Sequence, residues 1–195
     1  MSDRFIILMR HGDVVGGPRF RGGCDDALSA AGWAQLRRAA AREPAISHIV
    51  SSPARRCADF ARALAAERSL SMDLSAAFSE RRFGDWEGLA ADQIPAALLT
   101  RFWDDPVGYT PPGAEPFAAF RQRVLDGWQA LLAAGAAHTL VLTHGGTLRV
   151  IIAQVLGMGD GSGIQLEVPP ACVTRLRLPA PPGRPSLVSH AAAAS

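Results

Sequence analysis

Two histidines in this chain directly follow short apolar runs and precede glycine: Arg10-His11-Gly12 after Phe5 to Met9, and His144-Gly145-Gly146 after Thr139 to Thr143. Short apolar runs bounded by turn signals read as buried strands. Each imidazole is therefore expected at the carboxyl end of a strand, with glycines that let backbone N–H groups approach a ligand closely. A lone Arg-His-Gly is more often a surface histidine than a nucleophile, so the weight falls on what accompanies it. Ser51-Ser52-Pro53 reads as a helix start, with Ser52 as cap and Pro53 at the first helical position. That places Arg56 in the first turn, where its guanidinium and the free N–H groups can face one anion. Arg55 is the neighbouring alternative and fits a solvated helix surface better. The stretch Glu80-Arg81-Arg82-Phe83-Gly84-Asp85-Trp86-Glu87-Gly88 sets a carboxyl beside aromatic bulk, with Glu80 or Glu87 as the proton donor.

The composition narrows the partner. The chain holds no lysine, so all 20 cationic side chains are arginine and any phosphate site must be built from guanidinium groups. A Walker-type nucleotide loop, which needs its lysine, is excluded. A formal net charge of +2 gives no basis for a nucleic-acid partner. No apolar run approaches the roughly 18 residues of a membrane span, and the N-terminal run is too short for a secretory signal, so the cytoplasm is expected. Cys24, Cys57 and Cys172 are widely spaced without a C-x-x-C pair, which suggests neither a disulfide framework nor a zinc site. No metal and no cofactor are expected.

The elements that must position these groups alternate. Ser29 can cap a helix through about residue 42, with Trp33, Leu36 and Ala40 on one face. Ile46 to Val50 reads as a second buried strand, followed by the helix bearing Arg56 to about Arg68 and a short extended piece from Ser71 to Leu74. Residues 92 to 103 look helical, and Asp104 to Pro116 is a Pro/Gly-rich loop. Pro116 opens a helix with Phe117, Phe120, Val124, Trp128 and Leu131 at helical spacing, ended by Gly135. A helix to about Leu156 follows His144, then a strand at Val173 to Leu178 and a return at Ser186 to Ser189. Strands alternating with helices imply an α/β fold of three layers, α/β/α, around a mostly parallel sheet, with ligands outside the carboxyl ends of its strands. One domain is expected over residues 1–190, and residues 191–195 are expected to be a disordered tail.

Taken together, these motifs resemble the histidine phosphatases of the phosphoglycerate-mutase-like superfamily. The likeness rests on Arg-His-Gly after the first strand, Ser51-Ser52-Pro53-x-x-Arg56, Glu80 before Phe-Gly-x-Trp-Glu-Gly, and the late His144-Gly. Arg19-Phe20-x-Gly22-x-x-Asp25-x-x-Leu28-Ser29-x-x-Gly32 extends it to roughly residues 5 to 178. Within the superfamily, Asp25-Asp26-Ala27-Leu28, Phe83 to Gly88 and the Phe102-Trp103 to Pro112-Gly113 segment look most like α-ribazole phosphatases, which act in cobalamin nucleotide-loop assembly. The chain departs from many relatives at Gly17, where they carry an asparagine six positions after the nucleophile.

The resemblance implies a metal-independent phosphomonoesterase. His11 would attack phosphorus; Arg10, Arg56, His144 and the Gly145 backbone would bind the phosphoryl oxygens; Glu80 would protonate the leaving oxygen. At Gly17 one phosphate contact would be missing, or supplied by Arg21 or a backbone N–H. Residues 87–116 are the candidate substrate cover, since Trp103, Tyr109 and the Pro-Gly turns could frame an aromatic or nucleoside-like group; packing of these aromatics against the sheet is the equal alternative. The substrate implied is a small phosphomonoester, α-ribazole 5′-phosphate or its cobalamin 5′-phosphate equivalent, handled by a monomer or homodimer. The alternatives are a broad sugar-phosphate phosphatase or mutase-like enzyme on the same site, and a phosphate-binding module without turnover.

Overall fold

The computed structural model describes residues 4–135, 138–180 and 182–192. Its centre is one six-stranded sheet in the order β3-β2-β4-β1-β5-β6. In chain order the elements are β1 (Arg4–Arg10), α1 (Ala30–Ala41), β2 (His48–Ser51), α2 (Arg55–Arg68), β3 (Ser71–Leu74), α3 (Ala96–Asp104), α4 (Phe117–Ala134), β4 (Thr139–Thr143), α5 (Gly145–Leu156), α6 (Asp160–Gly163), β5 (Val173–Leu178) and β6 (Ser186–Ala191). The strands β3, β2, β4 and β1 run parallel, whereas β5 and β6 continue the sheet antiparallel to β1.

Why the first strand is apolar from Phe5 to Met9 follows from its two faces. Successive side chains alternate across a strand. Ile6 and Leu8 enter the core formed with α4 and α5, while Ile7 and Met9 enter the core formed with α1 and α2. Strand β4 divides likewise, Val141 to one side and Leu140 and Leu142 to the other. Helices therefore cover both faces, giving the expected three-layer α/β/α architecture of phosphoglycerate-mutase-like folds, with a mostly parallel sheet.

Register is what brings the distant motifs together. Arg10 lies opposite Thr143 in the β1–β4 ladder, so the two strands end level and His11 and His144 emerge side by side. The His11 N–H extends the ladder to the Thr143 carbonyl at 2.9 Å, and the Ser52 N–H does the same to Leu142 at 2.9 Å.

Four local expectations change. Helix α2 starts at Arg55 with Ala54 as its N-cap residue, because Ser52 is still held in the sheet ladder and its side chain turns elsewhere. Helix α3 starts at Ala96, later than expected, since Pro95 forces Ile94 into extended backbone at φ −98°, ψ 136°. The four-residue α6 carries no clear sequence signal. Strand β6 runs on to Ala191, which pairs with Val173, so the expected disordered tail fails at its first residue; residues 193–195 lie outside those described.

Candidate active site

At the carboxyl ends of β1 and β4 lies an open cavity of about 840 Å³ whose wall includes Arg10, His11, Arg21, Glu80, Gly145 and Arg149. A smaller cavity of about 180 Å³, walled by Phe83, Phe102, Phe117 and Phe120, adjoins it and shares Glu80, Gly146 and Arg149.

His11 is buried, and its Nδ1 lies 2.8 Å from the Gly12 carbonyl. A carbonyl only accepts, so Nδ1 carries the proton and Nε2 keeps its lone pair. Burial, then the charges of Arg10 and Arg56, push the His11 pKa down to about 3. The ring is therefore neutral at physiological pH, the form that can act as a nucleophile. Arg10 reaches back to the Val168 carbonyl through Nη1 at 2.5 Å, while its buried Nε has no partner among the described residues. A buried cationic donor left unpaired is costly, and an anion in the cavity would satisfy it. Burial lowers the Arg10 pKa first, with Glu80 opposing and the like charge of Arg149 adding to the fall.

Arg56 and His144 stand behind this wall, both fully buried. Their rings and donors interlock. Arg56 Nε donates to His144 Nδ1 at 3.3 Å, so the proton of His144 sits on Nε2 and is donated to Ser52 Oγ at 2.7 Å. Arg56 also donates to the carbonyls of Cys24 at 2.6 Å, Arg21 at 3.3 Å and Gly22 at 3.4 Å. The His144 ring meets His11 edge-on with centroids 5.3 Å apart, and burial followed by Arg56 and His11 holds its pKa well below the ordinary value. The four expected groups come together, and in this arrangement the polar atoms of Arg56 and His144 are engaged with each other, Ser52 and the 21–24 loop. Arg55 is the surface residue its alternative reading implied, paired with Asp59 at 3.5 Å.

The two glutamates separate cleanly. Glu80 lines both cavities, accepting from the Gly146 N–H at 2.9 Å and its neighbour's N–H, Arg81, at 3.0 Å. Glu87 lies elsewhere, accepting from the N–H groups of Gly22, Gly23, Cys24 and Phe83. Burial raises its pKa, but hydrogen bonds outweigh burial and leave it lowered; Glu87 anchors the loop and is on the wall of neither cavity. Arg21 does line the cavity, yet it is committed to Asp26, to the Gly17 carbonyl at 2.6 Å and to Val15 at 3.0 Å. Trp103 is on the wall of both cavities; Tyr109 is on neither, packing instead against Trp86 and beneath Arg101.

Sequence reasoning passed over Arg149 and Ser52. Arg149 lies four residues beyond Gly145, hence on the same helix face, and this spacing was the available signal. Its Nε donates to the Leu166 carbonyl at 2.9 Å, leaving the terminal nitrogens beside the cavity. Ser52 offered no signal beyond its capping role.

A model of the histidine phosphatase superfamily (branch 1) matches residues 6–191. The chain belongs to this superfamily. A bifunctional protein of Mycobacterium tuberculosis is 33% identical over 168 residues, spanning 80% of this chain and 45% of that protein, so the chain has about half the length of those relatives. A glucosyl-3-phosphoglycerate phosphatase of Mycolicibacterium vanbaalenii is 30% identical over 193 residues, spanning 85% of each. The α-ribazole phosphatase of Shigella flexneri shares the fold with a TM-score of 0.78 at 24% identity, over 88% of this chain and 89% of that one. At the departure from the superfamily pattern, Gly16 and Gly17 adopt φ +87° and +71°, and Arg21 secures the turn through the Gly17 carbonyl. No helix among the described residues is long and apolar enough to cross a membrane.

Proposed function

We propose that this chain is a phosphomonoesterase that works through a phosphorylated His11, without a metal ion, on a small sugar-phosphate-like ester. The observation that carries the reading is the neutral His11 ring, Nε2 unprotonated, on a cavity wall beside the unpartnered Nε of Arg10. His11 Nε2 forms a bond to phosphorus as the bond to the ester oxygen breaks, and protonated Glu80 gives that oxygen its proton. Glu80, now a carboxylate, takes a proton from the water that attacks phosphohistidine, and the imidazole departs with its electron pair. Arg10 meets the phosphoryl oxygens directly, with Arg21, Arg149 and the Gly145 backbone on the same wall. Arg56 and His144 act from behind, the first through its charge and the second by bracing it; several guanidiniums supply the fixed positive field such a transition state requires.

The substrate class rests on sequence likeness. Glucosyl-3-phosphoglycerate phosphatases match over most of the chain, whereas the α-ribazole phosphatase likeness at 24% identity bears on fold alone. This favours the broader sugar-phosphate reading over the narrower expectation of α-ribazole 5′-phosphate. The test is kcat/KM over a panel of phosphate esters in chelator, including glucosyl-3-phosphoglycerate and α-ribazole 5′-phosphate. Turnover surviving chelation with sugar-phosphate esters ahead is expected. A preference above ~100-fold for α-ribazole 5′-phosphate, or activity abolished by chelation, would reverse the substrate or the mechanism respectively.

A further inference from the structure

The segment that carries Glu80 is secured in an unusual way. Residues 76–80 contain one short turn, Ala76–Phe78, yet all five backbone carbonyls receive side-chain hydrogen bonds. Arg123 on α4 donates through Nη1 to Ala76, Ala77 and Ser79, each at 3.0 Å, and through Nη2 to Glu80 at 3.4 Å. Thr143 takes the Phe78 carbonyl at 2.6 Å, and Thr147 shares that of Ser79 at 3.2 Å. These two threonines flank His144, so the loop is tied to the histidine's own strand and helix.

The other edge of Arg123 is paired with Glu115 in a fork, Nε to Oε1 at 3.1 Å and Nη2 to Oε2 at 2.8 Å. Glu115 is buried and grips the residues beyond Glu80: its carboxylate accepts from the Arg82 N–H at 3.3 Å, its N–H donates to the Arg82 carbonyl at 3.0 Å, and its carbonyl accepts from Arg81 Nε at 2.8 Å. The pair thus holds the backbone on both sides of Glu80. Among the described residues the Glu80 carboxylate itself is held by two backbone N–H groups, so it goes where the backbone puts it.

We propose that Arg123, acting with Glu115, is the positioning residue for the proton donor Glu80; this rests on the phosphatase reading above. Proton transfer needs a heavy-atom approach of about 2.6–3.2 Å, and a misplacement of roughly 1 Å can cost about 10²-fold. A planar fork of five N–H groups, with Nη1 sharing a hydrogen between two carbonyls, can hold four carbonyls and a carboxylate at once, which a lysine with three donors cannot.

The experiment compares kcat/KM for an alkyl ester, glycerol 3-phosphate, with that for p-nitrophenyl phosphate, whose leaving group departs without needing a proton. Arg123→Met, Arg123→Lys and Glu115→Gln are measured beside Glu80→Gln, with Ki for inorganic phosphate as the binding readout. The alkyl ester should lose about 30- to 100-fold, the aryl ester less than about threefold, and phosphate Ki should stay within about twofold. Arg123→Lys keeps the positive charge and serves if the methionine variant does not fold. Equal losses on the two esters, or none on the alkyl ester, would mean that Arg123 only supports the fold and would overturn the proposal. If Glu80→Gln itself shows no dependence on the leaving group, the failure lies with Glu80 as proton donor and not with Arg123.

Discussion

The floor of the cavity and its aromatic cover are built on different principles. The floor is His11 on the wall with His144, Ser52 and Arg56 behind it; the first three hang from the ends of three paired strands, Arg56 comes from α2, and the set is locked by hydrogen bonds among buried groups. The cover is a separate small cluster, Trp86, Ile94 and Phe102 with Phe20, Phe83 and Leu98 around it, held by ring contacts such as Phe20 to Phe83 at 5.1 Å and Phe20 to Trp86 at 5.3 Å. Two backbone bonds, Phe20 N–H to Leu89 at 2.9 Å and Gly88 N–H to Phe20 at 2.8 Å, stitch it to the loop beneath. Hydrogen bonds between buried polar groups tolerate little displacement, whereas aromatic packing tolerates substitution and adjustment. On the function proposed above, reaction chemistry would sit on the rigid part and substrate choice on the adaptable one.

That contrast can be broken most directly at His11. His11→Ala should lower turnover by at least about 10³-fold and abolish the acid-labile phosphoenzyme, as expected for removal of the group that forms the covalent intermediate. It should also change stability with pH. The fold holds His11 neutral down to about pH 3, and His144 is likewise held neutral, while histidine in the unfolded chain titrates near 6.5. Between those pH values the unfolded chain binds protons that the folded chain does not, so stability falls as pH falls through that window. The slope is up to about 1.4 kcal/mol per pH unit for each histidine, and urea unfolding at pH 7 and pH 5 should show His11→Ala losing one histidine's share.

Gly146→Ala sharpens the comparison at the boundary. A Cβ there would stand 2.3 Å from Glu80 Oε1, the movable end of a side chain, so the carboxylate must shift while the backbone stays. Alkyl-ester kcat/KM should fall by about 10²-fold with little change in Tm; a loss of folding instead would place Gly146 in the scaffold. The smallest effect is expected on the cover. Trp103 is 58% exposed, so Trp103→Ala should leave stability within about 0.5 kcal/mol and shift KM about three- to tenfold, by an amount that differs among esters. A uniform fall in kcat with KM unchanged would place Trp103 in the chemistry and erase the distinction.

Much of the floor was legible because it follows from local pattern. An apolar run ending at Arg10-His11-Gly12 fixes a strand end, and the same holds at His144-Gly145. The cover was legible only as an aromatic-rich region without period, since ring-to-ring contacts across Phe20, Phe83 and Phe102 leave no spacing rule along the chain. Tyr109 shows the limit: its composition suited a cavity wall, but its packing under Arg101 turned it away. Arg149 left only its four-residue spacing from Gly145 as a signal, and Arg123 left none, being one arginine among many on a helix, distinguished by what the neighbouring elements present to it.

By itself the sequence determined that buried parallel strands deliver two histidines and an arginine-rich ring to one sheet edge, because hydrophobic period and strand-ending glycines are local properties. Which donors reach the cavity and which stand behind it was decided only in three dimensions. Arg56 is engaged by Cys24 and His144, and Glu87 by the N–H groups of Gly22, Gly23 and Cys24, through contacts 32 to 88 residues apart in the chain. Hydrogen-bond competition of this kind depends on geometry between distant segments, and no spacing along the chain encodes it.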